Sequence, residues 1–369
     1  MPEFVPGQQL SHLFYEEVVA PILAEAFPSL RYSAALIGYG SEVLGYDTAR
    51  STDHEWGPRL LLFVADEDLA EQRERIVAVL AERLPPSFRG YSANFGPPGA
   101  DGVRLPEPRE TGPVAHKVEV LAPGAWFASR LGIDPAAGLT VADWLAVPQQ
   151  RLLEMTAGRV YHDGLGEIEP RRAALAWYPY DVWLYLLACQ WQRIEQQEPF
   201  VGRTGEVGDE IGSRLIAATL VRDLMRLCFL TERRYAPYTK WFGTAFAGLD
   251  CAGELMPVFD RVFAAETWRA RERHLCDAYE IVARMHNALA VTPPLDTGAS
   301  YFYGRPFRVI NAGRFVAALA GAIASPAVNA IVVRSGGVGS IDQITDNVEV
   351  LEQPARYDDL RALYGSPSR

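Results

Sequence analysis

The hydrophobic pattern changes once along this 369-residue chain, and that change sets the architecture. Up to about residue 121, short apolar runs alternate with helical stretches. Beyond about residue 126, the long apolar segments repeat at helical spacing. Residues 8–28 (QQLSHLFYEEVVAPILAEAFP) read as a first helix, 31–38 as a short buried strand and 59–65, entered by Pro58, as a second. Residues 67–84 form an amphipathic helix with an acidic first turn, 87–95 a third strand, 96–113 a long Pro- and Gly-rich loop, and 114–121 (VAHKVEVL) an alternating fourth strand. A helix set between strands predicts a small mixed sheet with helices on it. Residues 140–156, 170–197, 209–235, 256–289 and 308–324 carry helical periodicity, 292–306 reads as a linker, and the 327–369 tail is mixed with a Gly-rich turn at 336–339. The expectation is an α+β chain. A small mixed-sheet domain occupies 1–130, and a mostly α-helical domain occupies 131–369 with a sub-domain over 300–369.

Hydrophobic residues make up 49% of the chain, enough for a buried core, so disorder is excluded. The formal net charge is −11, which argues against a long nucleic acid as partner. Cys189, Cys228, Cys251 and Cys276 form no CxxC pair and no zinc spacing with histidine, as expected of free thiols in a cytoplasmic protein. The opening MPEFVPGQQL lacks the basic and apolar regions of a signal peptide, and no uncharged apolar run has membrane-spanning length. Lysine plus arginine total 35, yet the lysines are two, Lys117 and Lys240. Against so strong a preference for arginine, a lysine marks a place that calls for a compact point charge.

The stretch from Gly38 to Phe63, GYGSEVLGYDTARSTDHEWGPRLLLF, carries the chemistry. A buried strand runs into Gly40 and Ser41 at the start of what reads as a short helix, where free N–H groups favour a phosphate. Asp53 and Glu55 precede the strand at Leu60–Phe63. In extended backbone their side chains share one face about 6–7 Å apart, which suits carboxylates on a divalent ion such as magnesium. His54 points the other way and reads as a packing or hydrogen-bonding residue. Alternation along 116–121 places Lys117 and Glu119 on one face, with Val118 and Val120 on the other. In the helical part, Arg222, Arg226, Arg233, Arg234 and Lys240 cluster with Tyr235, Tyr238 and Trp241. A lysine there would neutralise phosphates and an aromatic ring would stack on a base.

The order strand, GS, short helix, DxE, strand and later strand with Glu resembles the nucleotidyltransferase superfamily of DNA polymerase beta, which includes aminoglycoside nucleotidyltransferases and MNT antitoxins. More closely, GYGSEVLGYDTARSTDHEWGPRL, GRVYHDGLGE, RDLMRLCFLTERRYAPYTKW and GSIDQITD resemble the DUF4037 family. The resemblance implies transfer of a nucleoside monophosphate, AMP from ATP or that of another NTP, to a hydroxyl of a small-molecule or protein acceptor with release of pyrophosphate. It implies that Asp53, Glu55 and Glu119 hold Mg2+ or Mn2+, that the acceptor is deprotonated near Glu119, and that Gly40, Ser41, Lys117, Arg222, Tyr238 and Lys240 bind the nucleotide. Most members have Asp where this chain has Glu55, and the longer arm alters the metal geometry. The alternative is therefore a nucleotidyltransferase-like protein without catalysis, acting as a nucleotide-binding regulator or antitoxin-like partner.

Other features read as structural. His162-Asp163 reads as a helix cap or turn, and Trp183, Leu187 and Trp191, four apart, as one buried helix face. Asp342 and Asp346 read as a surface helix turn. The glycines at 336–339 lack the spacing of a phosphate loop, and Gly38-x-Gly40 lacks the third glycine of a dinucleotide fingerprint.

Overall fold

Leucine, phenylalanine and valine crowd residues 60–64, and this run forms an inner strand, every residue of it buried, in a four-stranded sheet. The structure, a computed structural model, describes residues 3–53, 55–100 and 102–365. The chain divides into two compact units, Met1–Gly138 with Arg151–Ala176, and Leu139–Gln150 with Trp177–Arg369. The single division expected at 130/131 is therefore corrected, because 151–176 returns to the first unit.

In that unit the strands are β1 (Tyr32–Leu36), β2 (Arg59–Val64), β3 (Ser87–Phe88), β4 (Tyr91–Ser92), β5 (Lys117–Leu121) and β6 (Arg159–Asp163). The mixed sheet runs β5-β2-β1-β6, with β2 parallel to β5 and the other pairs antiparallel. One face carries Ala34, Leu60, Leu62, Val64, Val118 and Val120 into a core shared with Leu10, Phe14, Val19, Ile76 and Leu80. Those last residues come from the expected helices, Gly7–Ala26 and Asp66–Arg83. The first is interrupted by a π-helical turn at Tyr15–Val19, just before Pro21. Proline has no N–H to give and its ring crowds the carbonyl four residues back, so the widened turn relieves both problems.

Two strand expectations are corrected. Residues 87–95 do not join the sheet but fold into the β3–β4 hairpin, whose two-residue loop, Arg89 (φ +50°) and Gly90 (φ +83°), has the positive φ values of a type I′ turn. The fourth sheet strand comes instead from β6, whose last two residues, His162 and Asp163, read as a cap or turn in the sequence. As an edge strand it is only half-buried, and its register breaks between Ala34 and Ala35, so its alternation is weak in sequence. Asp163 does act as a cap: it accepts the Ser33 hydroxyl at 2.6 Å and the N–H groups of Gly166 and Glu169 at 3.1 and 3.0 Å.

In the second unit the helix Tyr180–Gln197 buries Trp183, Leu187 and Trp191. Trp191 stacks on Phe315 at 4.2 Å, and the Trp183 indole donates to the Leu230 carbonyl at 2.7 Å. Expected long helices are cut where proline or an acceptor forces it: Pro179 precedes Tyr180, and Thr267 caps Trp268–Ala288. The 300–369 sub-domain does not separate out, because its polar side chains are part of the core of this unit. Arg361 pairs with Asp143 at 2.6 Å, and Gln343 donates to the Gln190 side chain at 2.9 Å. Among the described residues, no helix is long and apolar enough to cross a membrane.

Two predictions follow from this packing. Gly158 (φ +71°) opens β6, and a Cβ there would lie 2.1 Å from the Leu36 carbonyl oxygen. Gly158→Ala should cost roughly 3 kcal/mol or more; an unchanged urea midpoint would contradict this packing. In the second unit, burial lifts the Glu198 carboxyl to about 7, against the N–H groups of Ala312, Ile310 and Asn311. Burial likewise lifts Glu272 to about 7, against Arg308 and Arg269. Both groups hold a proton more tightly folded than unfolded. Their contribution to stability is full below the ordinary glutamate range and is lost as pH rises through about 7. The melting temperature should fall between pH 5 and pH 8, with a shallower fall in Glu272→Gln; a parallel curve in the variant would refute the assignment.

Candidate functional site

The strand pairings gather the sequence-predicted residues of the first unit at one end of its sheet. β1 ends at Leu36, beside the start of antiparallel β2, and Arg59 of β2 pairs in register with Lys117 of parallel β5. Leu61 pairs with Glu119. Registered partners share a face, so Arg59, Lys117 and Glu119 lie together on the face opposite the Val118–Val120 core. Helix Pro123–Leu131 covers part of that face, with Trp126 edge-on to Phe63 at 5.5 Å.

After β1 the chain makes a turn instead of the expected short helix. Val43, Gly45 and Tyr46 donate to Gly40, Glu42 and Ser41 at 3.2, 3.2 and 2.8 Å. Gly38 (φ +91°) and Gly40 (φ +124°) adopt conformations that side chains avoid. A Cβ on Gly40 would lie 2.5 Å from both Arg59 Nη2 and Glu42 Oε2. These two side chains, which the sequence reading did not single out, form a buried ion pair at 2.6 Å. Arg59 also donates to the Tyr39 carbonyl at 2.5 Å, and its guanidinium lies 4.7 Å over the Tyr39 ring. Burial opposes the Arg59 charge, but Glu42 holds its pKa above the ordinary value. The Gly38 N–H is taken by the Glu154 carbonyl at 2.8 Å. The N–H groups of Tyr39, Gly40, Ser41 and Glu42 donate to no acceptor among the described residues. Consecutive free N–H groups in such a turn form a nest for an anion.

The acidic residues meet a different outcome. Asp53 is exposed at the end of a 3₁₀ turn, Ala49–Asp53, and Glu55 has a left-handed backbone (φ +54°). The strand begins only at Arg59, so the extended alternation that would align Asp53 with Glu55 is absent. His54 lies outside the described residues. The Glu55 carboxylate pairs with Lys117, receives the Tyr39 hydroxyl at 3.4 Å and accepts the Arg104 N–H. In return the Glu55 N–H donates to the Arg104 carbonyl at 3.2 Å.

Arg104 organises the region expected to be a long loop. Its guanidinium donates to the carbonyls of Gly96, Phe95, Ala115 and His116 at 2.9–3.3 Å. Residues 94–96 fold against 105–107 through Glu107 N–H to Asn94 O and Gly96 N–H to Leu105 O, both 2.9 Å. Lys117 is buried, and its ammonium lies 5.4 Å over Phe95. Burial pulls its pKa below the ordinary lysine value, while Glu119 and Glu42 hold it up.

Magnesium needs hard carboxylate oxygens that are available to it. Both Glu55 oxygens are engaged, and among the described residues no group of three or more His, Cys, Asp or Glu could hold a metal ion. The donor set expected for the metal (Asp53, Glu55 and Glu119) does not fit one in this arrangement.

In the second unit, Arg222 pairs with Asp346 at 2.7 Å on the surface. Arg226 is half-buried and donates to the Asp342 carbonyl. Asp342, half-buried in the short helix Ile341–Ile344, also accepts the Gln149 N–H at 2.9 Å, whereas Asp346 is exposed. Lys240 is exposed with its ammonium 5.0 Å over Trp241, and the Tyr238 N–H donates to Gln150 at 2.9 Å. Tyr235 is buried against Trp177 and Tyr178.

The Lys117–Glu55 pair offers a direct test. The Lys117 side chain is 5% exposed and that of Glu55 is 23% exposed. Removing one partner by Lys117→Met should destabilise the chain by about 3 kcal/mol. Combining it with Glu55→Gln should cost less than the sum of the two single changes. Strict additivity would dismiss the pair as a stabilising contact.

Residues 144–242 match the family model described as "Domain of unknown function (DUF4037)". The matched stretch holds GRVYHDGLGE and the Arg222–Trp241 segment, but neither Gly38–Arg59 nor Lys117–Glu119. Its description names no activity. No curated protein and no solved structure matches the chain.

Proposed function

We propose that the sheet end of the first unit binds the phosphates of a nucleotide, ATP or another NTP, and that the chain acts as a nucleotide-binding regulator or antitoxin-like partner of another protein. The observation that carries this reading is the run of four N–H groups, Tyr39 to Glu42, without acceptors among the described residues. They can receive phosphate oxygens much as a helix N-terminus does. Arg59 and Lys117 lie at the same sheet end, each answered by a carboxylate, Glu42 and Glu55, so the backbone N–H groups and not these cations carry the reading. The engagement of Glu55 by Lys117 and by the Arg104 N–H supports binding over metal chemistry.

A second reading is Mg-dependent transfer of a nucleoside monophosphate to a hydroxyl acceptor. It is favoured by the register that sets Lys117 beside Arg59 and Glu119 beside Leu61, downstream of Gly40-Ser41 and the Asp53–Glu55 stretch.

Calorimetry separates the two. On the first reading ATP binds with an affinity that changes less than about threefold on adding magnesium or on Asp53→Ala. Magnesium-dependent pyrophosphate release with hydroxyl acceptors, lost in Asp53→Ala, would replace it with the second. No ATP binding under either condition would remove both.

A further inference from the structure

We infer that helix Pro123–Leu131 forms the second wall of this anion site, and that Trp126 and Arg130 donate to the phosphate oxyanion held by the 39–42 turn. The inference rests on the nucleotide-binding reading and adds two residues that the motif does not contain. Trp126 is 5% exposed, yet its indole N–H has no acceptor among the described residues. Burying such a donor unpaired is costly, because it gives up its bonds to water for nothing. The ring lies against the turn: a Cβ on Gly38 would sit 3.1 Å from Trp126 Cζ2, which is bonded to the carbon that bears the indole nitrogen. Glycine at position 38 is what lets the indole come this close.

Arg130 follows four residues later on the same helix face. Its guanidinium lies 5.5 Å over the Tyr39 ring, and its Nε is shielded from solvent without an acceptor. It forms no hydrogen bond or ion pair with the described residues. Arg59, by contrast, has its charge answered by Glu42 at 2.6 Å. Two guanidinium groups thus lie over the Tyr39 ring, one paired with a carboxylate and one not paired among the described residues. A half-buried arginine without a carboxylate, an indole N–H without an acceptor and the free N–H groups of the turn are the donor set that a tetrahedral oxyanion takes. The negative charge of Glu42 is cancelled by Arg59 and does not stand against an incoming anion.

The test uses the full chain, with inorganic pyrophosphate and ATP as probes. Trp126→Phe keeps the ring and removes the donor, and Arg130→Met keeps most of the stem and removes the charge. Each should weaken pyrophosphate binding about tenfold. In wild type, the assigned Trp126 indole N–H resonance should shift on adding pyrophosphate. This readout stands even where a variant folds poorly. If wild type binds pyrophosphate, both variants match its affinity and the resonance stays in place, the wall assignment is overturned while nucleotide binding survives. If wild type binds neither probe, the nucleotide-binding reading falls, and the assignment falls with it.

Discussion

Arg59 opens β2 with its charge buried against Glu42, and the candidate site is built around that pair. A buried arginine left unpaired would be strongly destabilising, so Glu42 cannot be placed elsewhere at small cost. To deliver its carboxylate, the chain after β1 must fold back over the start of β2. The positive φ values of Gly38 and Gly40 make that turn feasible, and the lack of a Cβ at Gly40 leaves room for both charged groups. The same turn leaves the N–H groups from Tyr39 to Glu42 without acceptors among the described residues. The same interaction that holds the sheet end together therefore creates its capacity to receive an anion.

Glu55 shows how a residue type can suit one chemistry while its surroundings give it another. The sequence places it two residues after an aspartate and just before a strand, as a metal site would require. The fold gives it a left-handed backbone, a lysine partner and a backbone donor. Its exchange of hydrogen bonds with Arg104 ties the segment before β2 to the fold of 94–96 against 105–107. Arg104 in turn gathers four carbonyls that would otherwise need water or a regular strand partner. A stretch rich in proline and glycine, which cannot pair continuously in a sheet, acquires order from one guanidinium.

The second unit reaches its order differently. Long helices pack through large aromatic side chains, and buried polar groups then specify the arrangement. Asp223 accepts from Gln190 at 3.1 Å and from Arg193 at 3.0 Å, and Gln343 reaches Gln190 from the tail. Within that network Asp223 uses one carboxylate oxygen for both donors, and Gln343 ties the tail to it through Gln190. That is why the mixed tail, which reads as a sub-domain in sequence, is part of the same core.

Much of this was legible from local pattern. The alternation at 116–121 correctly put Lys117 and Glu119 on one face, and helical spacing correctly buried Trp183, Leu187 and Trp191. These periodicities are properties of short segments, and a segment carries them wherever it packs. β6 was not legible, because an edge strand with a register break has little alternation to show. Nor were the partners of the charged residues. Lys117 meets Glu55 across 62 positions, and Arg59 meets Glu42 across 17. Which acid a buried cation finds depends on strand register and on the path of the intervening turn. Both are settled by the packing of the whole unit, so the sequence alone determined the elements and their faces, while the tertiary structure alone decided which charges neutralise one another and which donors are left for a ligand.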